Sequence, residues 1–480
     1  MFPGLRLDAK KEASLVSWAI RRPPPPSKVR IPLQLDPNRA SVACVRVGEH
    51  VRVGQVIALP KDAQSVSVHA SISGQVEAIG IFPHPVLGEA QAIEIRSDGR
   101  NERMPEIGRE RPAWQTLAKD EILQLLQDSG VVGLRGLIPA HVKNARPKQG
   151  RIHTLILNAC ESEPYVTCDH ALMMSQPLEV LKGAEMIRAL LEAQRVIVAI
   201  EDNKLEAAEV LKSKIYFLKW KQMEVRIFPA RYPQGAVVPL LRSVLGLDPI
   251  RLAQGALVSI QVHNVATALA VYEAIVLQKP LYERAVTVGG ECVAESRNVW
   301  VPIGTTFEET FKFCKGLLRE PYKVLMGGPM QGLAQPHLNV PVVPSTQAIL
   351  ALPKEVAYHG EEVQPCIRCN RCVEACPVEI SPVMITLAAE KDFFEVAEDW
   401  GLSLCIECGN CTYVCPSRRP MTELIRYAKR HTGRPAHFPG LCYSPGEILA
   451  GRQAIFQESL EPGSDRIIPT QENPAYAETV

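Results

Sequence analysis

A chain of 480 residues has room for several domains with real cores, and its formal net charge of +1 offers no basic excess for nucleic acid and no field for general electrostatic steering. No run approaches about 18 uninterrupted apolar residues, so no transmembrane helix is expected. The start, Met1-Phe2-Pro3-Gly4, lacks the charged-then-apolar order of a secretory signal, which leaves a soluble or peripheral cytoplasmic chain.

Residues 1–27 read as a polar, irregular extension ending in Pro23–Pro26, a stiff extended connector. Over 28–110 short apolar runs alternate with period two and break at glycine, as in Val53-Gly54-Gln55-Val56-Ile57 and Gly74-Gln75-Val76, predicting a small all-β unit. Its blocks VRVGEHVRVGQVIA and VHASISGQVEAIG resemble the biotinyl/lipoyl barrel-sandwich fold. Over 111–280 a helix at 114–128 precedes the apolar runs Leu155–Leu157, Val196–Ile200 and Val225–Ile227. These alternate with helical segments near 177–193, 204–214 and 234–245, the pattern of βαβ units, a parallel sheet and a Rossmann-like nucleotide-handling domain. Over 281–350 the pattern returns to short glycine-broken strands that resemble a soluble-ligand-binding (SLBB) β-grasp module. A helical two-cluster ferredoxin-like unit is expected at 351–431, and a Pro- and Gly-rich, partly disordered tail at 432–480.

The chain has 14 cysteines, and eight of them fall in two copies of one pattern. The first is Cys366-x2-Cys369-x2-Cys372-x3-Cys376-Pro377, the second Cys405-x2-Cys408-x2-Cys411-x3-Cys415-Pro416, offset by 39 residues throughout. Three cysteines at i, i+3 and i+6 can wrap one cuboidal cluster within a tight loop. The fourth, beside proline, starts a new segment and in two-cluster ferredoxins ligates the other cluster. One [4Fe-4S] cluster is therefore assigned to Cys366, Cys369, Cys372 and Cys415, the other to Cys405, Cys408, Cys411 and Cys376. Zinc ribbons use isolated Cys-x2-Cys pairs, not this run twice. The remaining cysteines, Cys44, Cys160, Cys168, Cys292, Cys314 and Cys442, read as small buried hydrophobes. Between the motifs, Met384, Leu387 and Ala388, then Phe394, Val396 and Ala397, carry helical periodicity.

The order of GVVGLRGLIPAHVK (130–143), ILNACESEPYVTCDHALM, RYPQGA, VHNVATALAVYEAI, VLMGGPMQG and both cysteine motifs resembles the RnfC family of the Rnf (Rsx) ion-translocating electron-transport complex, over about 28–430. The central region is also similar to the flavin-bearing, NADH-oxidising subunit of respiratory complex I. The resemblance implies a peripheral subunit at the cytoplasmic face of the bacterial inner membrane. Its partners would be the other subunits of the complex and a redox protein such as ferredoxin, with electrons exchanged with NAD(H) and coupled to ion translocation.

It also implies a site for FMN and NAD(H), with Lys143 on phosphate, Asn158, Glu161 and Glu163 along flavin and nicotinamide, and Asn264 and Thr267 on the flavin side. Such loops use glycine so that backbone N–H groups can approach phosphate. Here Arg135 stands in place of one glycine, Leu137-Ile138 occupy the next positions, the loop is one residue shorter, and Gln234–Leu241 lacks the family's acidic residue. Two readings remain open: a flavin-bearing oxidoreductase subunit, or a relay that keeps fold and clusters but has lost flavin. A third is a soluble reductase that feeds another enzyme.

Overall fold

Period-two burial along Lys28–Pro32 (β1), where Val29 and Ile31 point inward and their neighbours outward, is repeated through the first unit. The computed structural model describes residues 4–15, 17–111, 113–134, 136–145, 151–246, 260–357 and 362–432. In this unit, β1, Gln34–Asp36 (β2), Arg39–Ala43 (β3), His50–Val51 (β4), Val56–Pro60 (β5), Val68–His69 (β6), Gly74–His84 (β7) and Gly88–Ser97 (β8) form two sheets, ordered β1-β8-β7-β4 and β2-β3-β5-β6. They enclose Val29, Ile31, Ile57, Ile72, Ile93 and Ile95. This is the expected barrel-sandwich.

Four parallel strands form the second unit: Thr154–Ala159 (β9), Arg195–Glu201 (β10), Met223–Phe228 (β11) and Ile260–Asn264 (β12), in the order β11-β10-β9-β12. Every residue of β9 is buried, because helices cover both faces of such a sheet. Lys119–Asp128 (α1), Ala140–Asn144 (α2), Cys168–Ser175 (α3), Pro177–Leu191 (α4), Leu205–Phe217 (α5), Val237–Leu245 (α6) and Val265–Ile275 (α7) supply that cover. On one face α4 and α7 pack backbone to backbone, and a Cβ at Gly183 would lie 1.8 Å from the Ala268 carbonyl oxygen. On the other, Leu240, Leu241 and Val244 of α6 cover Ile156 and Ile197.

Glu283–Gly289 (β13), Arg297–Pro302 (β14), Lys323–Met326 (β15), Leu333–Gln335 (β16) and Ala348–Leu352 (β17) make a mixed sheet ordered β14-β13-β17-β15-β16 around Phe307 and Phe311. The cysteine module is helical, with Arg371–Glu374, Pro382–Ala389, Phe394–Asp399, Asn410–Tyr413 and Met421–His431.

Several expectations are corrected. The helix expected at 114–128 begins as a separate 3-10 turn, Trp114–Thr116, and only α1 is α-helical, because Leu117 and Ala118 are extended. In Pro382–Ala389 the buried face is Ile385, Ala388 and Ala389, while Met384 and Leu387 are exposed; Val396 is exposed as well. Cys160, Cys168, Cys292 and Cys314 are buried as expected, but Cys44 is exposed. Arg135, Cys442 and residues 433–480 of the tail lie outside the described residues.

The N-terminal extension does more than connect. Leu5 pairs with Tyr232, the Ala9 carbonyl accepts from the Tyr165 amide, and Trp18 stands 4.4 Å from the His170 ring. Lys11 is buried, and its ammonium donates to the Glu161 carbonyl.

Candidate functional site

The two cysteine loops repeat each other down to the backbone. Arg368 and Glu407, Asn370 and Gly409, and Glu379 and Arg418 all have positive φ at equivalent positions. The Arg368 amide donates to Cys366 Sγ at 3.4 Å, and the Glu407 amide to Cys405 Sγ at 3.4 Å. Such left-handed turns aim N–H groups inward at anionic sulfur. Cys376, Cys405, Cys408 and Cys411 line one cavity with Pro377, Ile380 and Ile406. Burial pushes the Cys408 and Cys411 thiols up, and the neighbouring thiols, Cys376 among them, push in the same direction. The Cys372 thiol is raised by burial and, to a lesser degree, by Cys415. Cys376 thus lies among the first three cysteines of the second motif, and Cys415 lies by Cys372 of the first. This donor set suits iron–sulfur clusters: eight thiols in two groups, with inward amides.

The two copies differ in cover. Cys369 is exposed where its twin Cys408 is buried, and Cys415 is half-buried where its twin Cys376 is buried; Cys366 and Cys405 are both half-buried, and Cys372 and Cys411 are both buried. The inner copy is held against the parallel-sheet unit. Tyr232 Oη donates to the Cys408 carbonyl at 2.6 Å, and a Cβ on Gly409 would sit 2.7 Å from the Met330 carbonyl oxygen. Glu407 is paired with Arg426 at 3.0 Å and Lys429 at 3.1 Å.

The residues expected around a flavin gather at the carboxyl edge of the parallel sheet, where such folds bind ligands. Each has an intramolecular role. Asn158 Nδ2 donates to the Gly235 carbonyl at 2.9 Å, and its Oδ1 accepts from the Cys160 amide at 3.0 Å. The buried Glu161 carboxylate accepts from the Asp169 amide at 2.8 Å, an anion at the start of α3. Glu163 accepts from the Met330 and Gln331 amides at 3.1 and 2.9 Å, tying this edge to the loop that rests on Gly409. Asn264 caps α7 by accepting from the Ala266 amide at 2.8 Å and donates to Asp169 Oδ2 at 2.6 Å. Thr267 Oγ1 accepts from the Leu134 amide at 3.2 Å, and Lys143 Nζ donates to the Val262 carbonyl at 2.5 Å.

The loop at 130–143 carries leucines that pack into the protein. Leu134 is buried in the main core of the unit, and Leu137 packs with Val66 and Val132. Arg39 of the barrel donates to the Gly136 and Leu137 carbonyls. The described residues of the loop are thus tied into the core and the barrel. Both amide atoms of Asn144, both ring nitrogens of His263 and Nε2 of Gln234 are buried without a hydrogen-bond partner among the described residues. Burial holds His263 well below its ordinary pKa, helped by Lys143.

Lys11, Tyr232, Met330 and the Arg426–Lys429 pair were not singled out from sequence. Most act across more than a hundred residues or through an interface, Lys429 within its own module, and only Tyr232 and Met330 fell within blocks that carried a resemblance.

Fold and site define an electron-transfer protein with a two-cluster ferredoxin-like module joined to a parallel α/β unit. Three family matches agree: "RnfC Barrel sandwich hybrid domain" over 2–100, "Nuo51 FMN-binding domain" over 126–273 and "4Fe-4S dicluster domain" over 360–416. The C subunit of the proton-translocating ferredoxin:NAD(+) oxidoreductase complex of Clostridium ljungdahlii is 37% identical over 85% of this chain and 88% of its own. The C subunit of the ion-translocating oxidoreductase complex of Rhodobacter capsulatus is 36% identical over 85% and 78%. The Na(+)-translocating counterpart of Acetobacterium woodii is 34% identical over 84% and 91%. The chain belongs to the RnfC family, the C subunits of Rnf-type ion-translocating oxidoreductase complexes. Among solved structures, an NAD+-reducing [NiFe]-hydrogenase chain aligns over 72% of this chain and 68% of its own at 18% identity and a TM-score of 0.48, too distant to carry an argument.

Proposed function

We propose that this chain is the iron–sulfur electron-transfer subunit of an Rnf-type complex, a relay between NAD(H)- or ferredoxin-linked donors and membrane subunits that couple electron flow to ion translocation. Each [4Fe-4S] cluster, when bound, supplies reversible one-electron transfer. Cys366, Cys369, Cys372 and Cys415 hold the outer one, and Cys405, Cys408, Cys411 and Cys376 the inner. The observation that carries this reading is the duplicated loop with unequal cover. One copy is anchored by Tyr232 and Met330 to the parallel-sheet edge, and the other is open to solvent. Tyr232, Glu163 and Arg426 fix the inner loop to that edge, so the chain positions one end of the relay internally and presents the other outward. No helix among the described residues is long and apolar enough to cross a membrane, so attachment at the cytoplasmic face of the inner membrane runs through partner subunits. We read the parallel sheet as Rossmann-like, the mixed sheet as an SLBB β-grasp module, and the domain limits as near 28–110, 111–280, 281–350 and 351–431.

In this reading the chain does not hold flavin at 130–143. Leu134 and Leu137 fill the loop, and Lys143 and Thr267 are committed to the backbone. The unpartnered polar atoms of Asn144, His263 and Gln234 favour a second reading, in which a polar ligand is retained at the carboxyl edge. Flavin analysis of the purified chain, with NADH-dependent bleaching of cluster absorbance, separates the two. No bound FMN and no bleaching supports the relay, and stoichiometric FMN with bleaching supports the flavoprotein.

A further inference from the structure

The internal repeat allows each loop position to be compared with its twin 39 residues away. Ile406 is 7% exposed and its twin Ile367 is 66% exposed. Glu407 and Asn410 are buried, while their twins Arg368 and Arg371 are exposed. In the inner copy the loop supplies the carboxylate, Glu407, and the covering helix Met421–His431 supplies the cations Arg426 and Lys429. In the outer copy the loop supplies the cations. The repeat-equivalent helix, Pro382–Ala389, offers exposed Leu387 at the position of Arg426. Arg368 and Arg371 form no ion pair among the described residues. Val363 and Tyr413 of the same module are also exposed, at 56% and 61%, and the Gln364 amide bond to the Ser417 carbonyl holds Val363 near Cys415.

We propose that this face is the docking surface of an acidic one-electron carrier protein, which supplies the cover that the inner copy receives from its own chain with the charges reversed. Carboxylates of the carrier meet Arg368 and Arg371, and an apolar patch meets Ile367 and Val363. Cys369, the most open of the cluster thiols, marks the point of exchange. One electron leaves the carrier's reduced iron–sulfur centre and the outer cluster gains it, or the reverse; no proton moves and no bond forms. This rests on the relay reading, which supplies the cluster. A protein carrier is favoured over an anionic bilayer because the exposed cations flank an exposed cluster cysteine in the chain, where a lipid surface would have nothing to exchange.

The test uses the full chain, loaded with clusters anaerobically, and an acidic two-cluster bacterial ferredoxin as probe, with binding read by biolayer interferometry at several salt concentrations. The paired variant Arg368→Glu with Arg371→Glu is expected to lower the association rate by about tenfold or more at low salt and to flatten its salt dependence. Arg100→Glu, an exposed change on the barrel, should leave both unchanged. Position 368 tolerates glutamate, since Glu407 holds the same positive φ in the other copy. Iron content and cluster EPR of each variant report integrity separately, so failure of the relay reading appears as missing clusters in the unaltered chain. Three results would overturn the proposal: equal ferredoxin binding by intact wild type and variant, equal binding of a basic cytochrome c to the wild type, or loss in the variant only of sedimentation with phosphatidylglycerol vesicles.

Discussion

His84 closes the turn between β7 and β8 by accepting the Val86 and Leu87 amides on Nδ1, at 3.1 and 3.0 Å. That role needs a neutral ring, and burial lowers its pKa from 6.5 to about 4. Between these values the unfolded chain binds a proton that the folded chain does not, so stability falls as pH drops through the window. The loss reaches on the order of 3 kcal/mol once both states are protonated. His84→Asn keeps a short acceptor for the turn amides, and its thermal midpoint should fall less than that of the wild type between pH 6.5 and 4. Gly409 makes a steric prediction. It has φ +80, and any Cβ would press on the Met330 carbonyl, whereas its twin Asn370 carries a side chain at φ +65 in the open. Gly409→Ala should cost the inner cluster and Asn370→Gly should not, as read by iron content and EPR of the reduced proteins.

At the scale of elements, the proposed crossed ligation makes the two loops interdependent. Cys415→Ser should remove the outer cluster signal and spare the inner one in EPR of the reduced protein; loss of the inner signal would mean that each motif binds its own four thiols. Glu163 fastens the 327–332 loop to the sheet edge through two amides. Glu163→Ala should therefore lower stability by about 2–3 kcal/mol and speed amide exchange at Met330 and Gln331. Much of this was legible in the sequence, because period-two runs, βαβ alternation and the 39-residue repeat are local patterns. The proposed cysteine groupings rest on spacing and proline. The roles of the flavin-type residues were not legible. Glu161 and Glu163 read as ligand contacts, yet their partners are amides of α3 and of a loop more than 160 residues away. No periodicity reports which repeat copy is covered, since cover depends on elements from elsewhere in the chain.

At the scale of the whole molecule, the described residues of 4–22 join the parallel-sheet unit to the mixed sheet, and Leu7 packs against the core of the cysteine module. Leu5 pairs with Tyr232 beside the inner loop, Lys11 reaches the sheet edge, and Arg22 pairs with Glu283 of the mixed sheet at 2.7 Å. A polar extension read as irregular proves to be a strap because buried Lys11 and exposed Arg22 find partners that only the tertiary fold brings near. Burial lowers the Lys11 pKa from 10.5 to about 8, with Lys204 adding to the shift. The central claim is that the chain is a two-cluster relay whose flavin cradle is closed. A cofactor count on anaerobically purified protein tests it most directly. Eight iron atoms, four for each of two clusters, with matching sulfide and no stoichiometric flavin are expected; bound zinc, only four iron atoms, or one FMN per chain would contradict it.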